Sequence, residues 1–571
     1  MLAFGAGRPA IGPQHSEVQH LPEVQKQQIQ LEEERLLRDN HLAPPKHAIR
    51  EEDRPMYSRI YRKMFSTKLP VEERHECDEA QEYQPPSETT ALLHNGISPS
   101  ESMREGHERR NRIWEAAVRE GKIKTTWQRE TKTLAQYSAP LIITFMLQYS
   151  LTVASIFTVG HLGKIELGAV SLASMTANIT GYAIYQGLAT SLDTLCSQAY
   201  GSGRKELVGL QLQRMVYFLW ILTIPIGLVW WFSNQILHKI VPEKESADFA
   251  GLYLRVLILG APGYALFESG KRYVQAQGLF TATTYVLLFC APLNAFMNWL
   301  FVWHFGWGFV GAPIAVAITD NLLPLCLFAY VYFIDGRQCW GGFTKRAWTN
   351  WGPMIALALP GLVMVEAEFL AFEILTLASS YFGTTHLAAQ SILATLTAIT
   401  FQIPFPISIA ASTRVANLIG ATLSEAAKTS ARVALVVACL VGALNVVILS
   451  SMRYRIPQLF TDDQEVINLV AAVLPICATF QLYDAVAALC NGLLRGLGKQ
   501  HVGGYVNLFC YYVIAMPISF GTAFGLHWGL KGLWLGVAIA LGLVAIIEGI
   551  YLKKTKWDDA VEEARHRNEH A

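Results

Sequence analysis

The chain has 571 residues, of which 52% are hydrophobic, and its formal net charge at pH 7 is +1. Its mean hydropathy of +0.28 would be unusual for a soluble protein of this length. The sequence contains no Cys-x-x-Cys cluster, no Gly-rich phosphate loop and no Gly-x-Ser-x-Gly elbow, and its His residues are scattered. A membrane protein is therefore favoured, and no enzyme activity, metal, cofactor or nucleic-acid partner is expected.

The first segment, residues 1–130, differs in character from the rest of the chain. Charged runs at residues 32–35 and 104–112, with Pro85 and Pro86 between them, leave too little apolar surface for an independent core. The beginning of the chain also lacks the apolar stretch of a secretory signal. This segment is predicted to be a disordered cytoplasmic tail.

A short motif in this tail resembles a sorting signal. Residues 88–93 read ETTALL, which is similar to the acidic dileucine signal that sends membrane proteins to vacuoles or lysosomes. The resemblance implies that Glu88, Leu92 and Leu93 bind sorting adaptors and that the protein lies in a vacuolar or lysosomal membrane. Residues 32–37 fit the same pattern by chance, and the plasma membrane is the alternative location.

Twelve apolar segments follow from Leu134 onward, each long enough to cross a hydrocarbon core of about 30 Å. The predicted spans are 134–161, 167–192, 212–234, 249–268, 280–303, 309–333, 353–381, 387–412, 430–450, 464–491, 502–525 and 530–552. Loops after even-numbered segments hold roughly twice as many Lys and Arg residues as the other loops, which is typical of the cytoplasmic side. An all-α polytopic membrane protein with both termini in the cytoplasm is predicted; a soluble α-solenoid is the competing interpretation.

The seventh segment contains three glutamates, Glu366, Glu368 and Glu373, in otherwise apolar sequence. An ionised side chain at the bilayer centre costs from about 2.5 to more than 10 kcal/mol, so such carboxylates usually face a cavity and bind protons or cations. Burial and neighbouring carboxylates both disfavour the charged form, which favours proton binding. On a straight helix Glu366 and Glu373 share a face, whereas Glu368 lies about 140° from Glu373. A kink near Pro360 would change this arrangement.

The segments form two related halves. Residues 285–290, YVLLFC, recur as residues 505–510, YVNLFC, at an offset of 220, and Gly201 recurs as Gly420 at an offset of 219. A shared offset predicts two six-helix lobes related by a parallel internal repeat, with the substrate site between them near the membrane midplane. The predicted divisions are a tail at 1–130, an N-lobe at 131–335, a cytoplasmic linker at 336–350, a C-lobe at 351–552 and a cytoplasmic C-terminal tail at 553–571.

Four motifs carry a family resemblance. They are LDTLCSQAYGSGR at residues 192–204, RYVQAQG at 272–278, TRVANLIG at 413–420 and GLLRGLG at 492–498. These motifs resemble those of multidrug and toxic compound extrusion (MATE) transporters, and their amino-acid sequences are similar to those of the fungal and plant branch. The resemblance implies two six-helix lobes around a V-shaped central cavity. It also implies export of organic cations and other small compounds in exchange for protons or sodium.

The same resemblance assigns acidic residues in the C-lobe. Glu368 and Glu373 match two acids of the family's helix seven, and Asp484 matches an acid in helix ten. Glu366 has no counterpart in the family and is a candidate because of its intramembrane position alone. Ser155 stands where bacterial members carry an Asp in helix one. The resemblance therefore implies that proton or cation coupling lies in the C-lobe.

Other polar or aromatic side chains are candidates for lining the cavity or supporting a motif, with bridging between helices or simple packing as the alternative. They are Asn178, Asp193, Gln198, Tyr381, Gln390, Gln402 and Tyr483. Glu268 is expected to form a local ion pair with Lys271 or Arg272 on its own helix. Asp320 and Glu548 are expected to form hydrogen bonds between helices rather than to contact substrate.

These observations predict a monomeric secondary antiporter, surrounded by membrane lipids, that exports small organic cations, toxic compounds or metabolites in exchange for protons. Sodium is the alternative coupling ion. A lipid-linked precursor flippase would share the two-lobe architecture but would need Arg or Lys in its cavity to bind phosphates. A non-transporting scaffold would need no intramembrane carboxylates.

Overall fold

The computed structural model describes residues 125–240, 244–461 and 463–569, so the sorting motif and most of the predicted N-terminal tail lie outside the described residues. Within these ranges the chain is helical and forms no strand. The helices of the first half are α1 (Trp127–Gly160), α2 (Lys164–Ala177), α3 (Ala183–Ala189), α4 (Ser191–Gly201), α5 (Lys205–Trp231), α6 (Ser233–Ile240), α7 (Lys244–Leu257), α8 (Ala261–Ala276), α9 (Phe280–Trp299) and α10 (Gly311–Phe333). Those of the second half are α11 (Gly352–Ser379), α12 (Thr384–Phe401), α13 (Pro404–Gly420), α14 (Ser424–Ser451), α15 (Gln464–Leu497), α16 (Gln500–Leu508), α17 (Met516–Phe520), α18 (Leu530–Lys554) and α19 (Trp557–Glu569).

Ten helical stretches in the described ranges are long and apolar enough to cross a membrane. An eleventh span results if α7 and α8, which meet at a bend of 59°, are taken together. The remaining predicted segment, 167–192, falls on α2 to α4, where a π-turn at Asn178–Tyr182 and a break at Thr190 interrupt the helix. The all-α membrane fold predicted from the sequence is confirmed.

Two predicted boundaries differ from the structure. The predicted tail ends at residue 130, but α1 already begins at Trp127, because the Thr126 side chain accepts a hydrogen bond from the Arg129 backbone N–H and caps the helix. The predicted C-terminal tail, 553–571, contains α19. Its buried side chains recur at helical spacing, so one face of this helix can pack against the rest of the protein.

Three apolar cores organise the fold. One lies mostly within the first half but also includes Met354, Leu357 and Ala358 of α11, and one lies within the second half. The third joins the two halves, because Leu134 and Leu141 of α1 and Phe280 of α9 pack with side chains of α13, α15 and α19. The two lobes are therefore in contact at the end of the molecule where α1 begins and α19 lies.

Two repeat-related glycines lie at this contact, where α4 crosses α13. A Cβ atom at Gly201 would lie 2.1 Å from the carbonyl oxygen of Asn417, and a Cβ atom at Gly420 would lie 2.2 Å from the carbonyl oxygen of Gln198. Both neighbours are backbone atoms that cannot move aside cheaply. Glycine at both positions therefore lets the two helices approach backbone to backbone, as small residues do in membrane helix pairs.

Substitution of either glycine is expected to weaken the contact between the lobes. Gly420→Ala should lower the free energy of unfolding by about 1–3 kcal/mol, because the added methyl group overpacks the crossing. Thermal unfolding of the purified protein in detergent measures this loss. Gly549→Ala in α18 is the matched control, since nothing lies within 4 Å of its Cβ position. An unchanged melting temperature for Gly420→Ala would contradict the expectation.

Candidate functional site

The contact between the lobes contains a buried ionic cluster formed by Asp193, Arg272 and Arg495, which we call the inter-lobe gate. Asp193 on α4 lies 3.3 Å from the Arg272 guanidinium on α8 and 3.6 Å from that of Arg495 on α15. All three side chains are at most 5% exposed. Arg495 belongs to the other lobe, so Asp193 joins the two lobes electrostatically.

Hydrogen bonds reinforce the gate along the same crossing. Gln198 donates to the carbonyl oxygen of Gly496 at 3.0 Å, and Gln500 donates to Thr194 at 2.7 Å. The Thr194 hydroxyl in turn donates to the carbonyl oxygen of Arg495. The structure therefore places the predicted residues Asp193 and Gln198 in a contact between the lobes.

A second ion pair crosses the lobes at the start of α1. Arg414 of α13 donates to both carboxylate oxygens of Glu130, at 2.9 and 2.7 Å, and both side chains are buried. Sequence reasoning missed this pair because Glu130 was assigned to the disordered tail. The signal available was Arg414 itself, a charged residue in an apolar motif that requires a counter-ion.

Helix α19 packs across the same end of the molecule. Arg567 donates to the side-chain oxygen of Gln198 at 3.1 Å and to the carbonyl oxygen of Leu497 at 3.4 Å, and so touches both lobes. Burial lowers the pKa of the Arg567 guanidinium, and the nearby Glu563 carboxylate acts in the opposite direction. Glu563 also pairs with Lys499 at 2.5 Å. The C-terminal helix thus bridges the two lobes beside the gate.

A group of acidic side chains lies inside the C-lobe, and we call Glu368, Asp484 and Glu548 the C-lobe carboxylate cluster. Glu368 of α11 interacts electrostatically with Asp484 of α15 and with Glu548 of α18. Asp484 is 2% exposed and Glu548 is fully buried. The Tyr511 hydroxyl interacts electrostatically with all three carboxylates. The structure therefore brings the family-matched acids Glu368 and Asp484 together and adds Glu548 to them.

Glu366 lies on a different side of α11 and faces a separate cavity of about 430 Å³. The cavity is lined by Val363, Glu366, Ala367, Leu370, Ile374, Leu508 and Tyr512. Residues two apart on a helix point in nearly opposite directions, which separates Glu366 from Glu368. Helix α11 is continuous from Gly352 to Ser379 despite Pro360, so no broken turn brings the glutamates onto one face.

Glu373 is half-buried on the same helix. Within the described residues, no hydrogen bond or ion pair joins Glu373 to another member of the predicted acidic set. Which of the helix-seven glutamates act together therefore stays a prediction. Glu368 interacts electrostatically with Asp484 and Glu548, which come from other helices.

The remaining predicted residues are distributed over several environments. Gln390 bridges two helices, since it donates to Thr376 at 3.2 Å and accepts from Trp534 at 2.8 Å. Asn178, Tyr381 and Tyr483 are exposed, and Gln402 is half-buried at the break before α13. In the part of the chain that the structure describes, none of these side chains forms a hydrogen bond with the C-lobe carboxylate cluster.

Polar pairs in the N-lobe follow the sequence expectations in two cases. Glu268 pairs with Lys271 at 2.5 Å on α8, as expected for a local ion pair. Asp320 accepts a hydrogen bond from the Tyr182 hydroxyl at 3.1 Å, which joins two helices. In the C-lobe, Glu548 was also expected to form a hydrogen bond between helices, but neither of its carboxylate oxygens has a hydrogen-bond partner among the described residues.

Comparison with known families decides the identity of the chain. The sequence profile of the MatE family matches residues 140–300 and again residues 360–520. The chain belongs to the MatE family. The two matches begin 220 residues apart, which is the offset of the repeated motifs, so the two-lobe parallel repeat is part of the family's architecture. Members of the MatE family are membrane transporters and not enzymes.

Relatives from fungi, animals and plants resemble the chain over most of its length. An uncharacterized transporter of Saccharomyces cerevisiae is 46% identical over 76% of this chain, and the match spans 62% of that relative's length. Multidrug and toxin extrusion protein 2 of Mus musculus is 32% identical, with 78% of each chain covered. Protein DETOXIFICATION 16 of Arabidopsis thaliana is 34% identical, with 78% of this chain and 92% of the relative covered.

A solved structure supports the same assignment. The eukaryotic MATE transporter AtDTX14 superposes with a TM-score of 0.75 at 29% sequence identity. The superposition covers 77% of this chain and 99% of that structure. The chain therefore has the fold of MATE transporters, and the resemblance noted in its motifs is confirmed.

Proposed function

We propose that this MatE family member is a proton-coupled antiporter that exports small organic cations from the cytoplasm by alternating access of its two lobes. The observation that carries the proposal is the pair of half-buried Glu368 and buried Asp484, whose carboxylates interact electrostatically inside the C-lobe. Relatives named for multidrug and toxin extrusion support the substrate class. Glu366 and Glu373 remain candidates for substrate contact from the same helix.

The chemistry of Glu368 and Asp484 is suited to the exchange of a proton for a cationic substrate. Two carboxylates removed from water and close to each other resist double ionisation, so a proton bound there is favourable while the site faces an acidic compartment. Once the proton leaves, the remaining negative charge attracts a cationic substrate. Because proton and cation compete for the same charge, occupation by one expels the other, which is the requirement for antiport.

The closed gate supports alternating access. Because the lobes are joined at the end where α1 begins, we infer that access between them is from the other face of the membrane. Basic side chains lie at the same end, since Arg204 and Lys499 contact Asn568 and Glu563 of α19. Their positive charge favours a cytoplasmic location for this end and for both termini. We propose that the closed gate separates substrate from the cytoplasm while protons bind to the carboxylates from a vacuolar or external compartment. We also propose that the protein functions as a monomer.

Transport by the full-length protein in liposomes tests the proposal. The probe is a fluorescent quaternary ammonium cation, because a permanent charge prevents passive trapping as a weak base. The liposomes have an acidic interior and a membrane potential clamped by potassium and an ionophore. Accumulation that collapses when the pH gradient is dissipated is the expected result.

Each alternative has its own outcome in this assay. Accumulation driven by a sodium gradient at equal pH would replace protons by sodium as the coupling ion. Absence of cation transport under either gradient would overturn the antiporter proposal. In that case the flippase and scaffold interpretations would take precedence.

A further inference from the structure

The linker between the lobes, residues 334–351, lies at the end of the molecule that holds the inter-lobe gate. It follows α10 and leads into α11. Tyr273 of α8, which is next to the gate residue Arg272, donates its hydroxyl hydrogen bond to the carbonyl oxygen of Gly336 in the linker at 2.8 Å. We call this end of the molecule the gate end.

Contacts with α5 fix the linker against the N-lobe. Gln213 donates to the carbonyl oxygen of Gly342 at 2.8 Å and accepts from the backbone N–H of Thr344 at 3.3 Å. Cys339 of the linker is fully buried. The linker therefore presents one defined outer surface rather than a loose loop.

Exposed aromatic side chains lie on that outer surface. Phe343 is 82% exposed and Trp348 is 59% exposed. Both rings are held in place, because Trp348 stacks on Tyr217 with centroids 4.5 Å apart and Phe343 meets the edge of Trp340 at 5.1 Å. Exposed aromatic rings beside the end of a membrane span are typical of the interface between lipid and water.

The same stretch of the linker is positively charged. Its exposed cationic side chains are Arg337, Lys345 and Arg346. None of them forms an ion pair in the part of the chain that the structure describes, and Asp335 is the one acid of the linker. Glu206 of α5 lies beside Gly341, and the adjacent Lys205 offsets its charge. The surface therefore has an excess of positive charge.

A buried cation lies under the linker and adds to this excess. Arg214 of α5 is 2% exposed, and neither an ion pair nor a hydrogen bond satisfies its Nε atom among the described residues. It follows Gln213, which binds the linker, and precedes by one turn Phe218, whose ring centroid is 6.0 Å from that of Trp351. Arg214 and Arg346 repel each other electrostatically. A buried charge without a partner favours the binding of an anion nearby.

We propose that the linker surface, which consists of Arg337, Phe343, Lys345, Arg346 and Trp348, binds anionic phospholipid of the membrane leaflet at the gate end. The headgroup phosphate would be bound by the cations, as basic clusters beside membrane spans bind anionic lipids. The aromatic rings would lie among the lipid chains. A soluble phosphate would leave both rings in water, so the aromatic pair favours a lipid as the occupant.

Binding of a short-chain lipid to the full-length protein tests this inference. The protein in neutral detergent is titrated with dioctanoyl phosphatidylserine, and native mass spectrometry gives the dissociation constant. Dioctanoyl phosphatidylcholine, which has the same chains and no net charge, is the reference lipid. We expect the serine lipid to bind more tightly, and we expect its advantage to shrink as the ammonium acetate concentration increases, because salt screens exposed charges.

Lys345→Gln combined with Arg346→Gln removes two cations from the surface. Each cation near a membrane contributes about 5-fold to the binding of anionic lipid, so the affinity for the serine lipid should fall about 25-fold. The affinity for the choline lipid should stay the same. Phe343→Ala leaves the charge unchanged and should weaken both lipids by about 10-fold, since it removes apolar contact.

Lys553→Gln combined with Lys554→Gln is the matched control. It removes two adjacent exposed cations at the end of α18, where exposed acids, Asp558 and Asp559, follow instead of exposed aromatic rings. Its affinity for the serine lipid is expected to equal that of the starting protein. Melting temperatures confirm that each variant is folded.

An unchanged affinity for the serine lipid in the folded variant of residues 345 and 346 would overturn the inference. So would binding by the starting protein that does not respond to salt, a measurement that needs no substitution. Glycerophosphoserine, the water-soluble headgroup, tests the source of the phosphate, and binding as tight as that of the lipid would reject a lipid occupant. Failure of this inference leaves the antiporter proposal intact, because lipid binding is measured without a gradient or a transported cation.

Discussion

Replacing Glu368 with Gln is expected to abolish cation uptake driven by a pH gradient while the protein remains folded. The amide has nearly the shape of the carboxyl group but binds no proton in the relevant pH range, so it removes the exchangeable charge. We expect the initial rate of uptake to fall by at least about 100-fold, equivalent to roughly 2.7 kcal/mol. Asp484→Asn should have a similar effect, since the carboxylates of Asp484 and Glu368 interact electrostatically.

The two substitutions are expected to be non-additive. Residues that act as one unit lose most of their function in the first substitution, so the double variant should transport no worse than either single variant. Glu245→Gln is the control, because it makes the same chemical change at an exposed carboxylate in the first turn of α7. A folded Glu368→Gln protein that still accumulates cations with the pH gradient would show that coupling lies elsewhere.

Removing the cation of the second inter-lobe ion pair is expected to cost more stability than any surface substitution. Arg414→Met leaves Glu130 buried, with Thr125 at 2.8 Å as a remaining donor. One neutral hydrogen bond does not balance a buried charge, so the loss should be about 3–5 kcal/mol. Thermal unfolding in detergent measures it as a lower melting temperature.

A second substitution distinguishes the stability lost through the unpaired buried charge from the stability lost through poorer packing. Adding Glu130→Gln to Arg414→Met removes the stranded charge and should recover most of the stability, because replacing both partners of a buried pair is often nearly neutral. Lys428→Met is the control, since its pair with Glu425 has side chains that are 37% and 62% exposed. Such a surface pair contributes about 0–1 kcal/mol. Equal losses for Arg414→Met and Lys428→Met would contradict the prediction.

Several features of the candidate site could be anticipated from the sequence. Glu368 and Asp484 stand out as acids in apolar helices, and the family motif assigns both to the C-lobe. The glycines Gly201 and Gly420 are related by the repeat offset, and the structure places them at one crossing. These features are visible because composition and spacing along the chain are local properties that need no knowledge of contacts.

Other features depended on contacts between distant residues. Helical spacing predicts that Glu366 and Glu373 share a face of α11. It does not show that Glu368 interacts electrostatically with Asp484 of α15, which lies far along the chain. Glu130 was part of a charged segment that reads as a tail, and its burial follows from the position of Arg414 on α13. Glu548 was expected to form a hydrogen bond, and its oxygens have none among the described residues.

The sequence by itself determined that this protein crosses the membrane many times, that it consists of two related lobes and that three glutamates lie within one apolar segment of the second lobe. Apolar length, repeat offset and residue type suffice for those conclusions. Only the tertiary structure decided that Asp193 lies beside both Arg272 and Arg495, that Glu130 pairs with Arg414, and that α19 bridges the lobes. Electrostatic interactions between buried groups depend on distances of a few ångströms through space, and these distances are determined by how the helices pack.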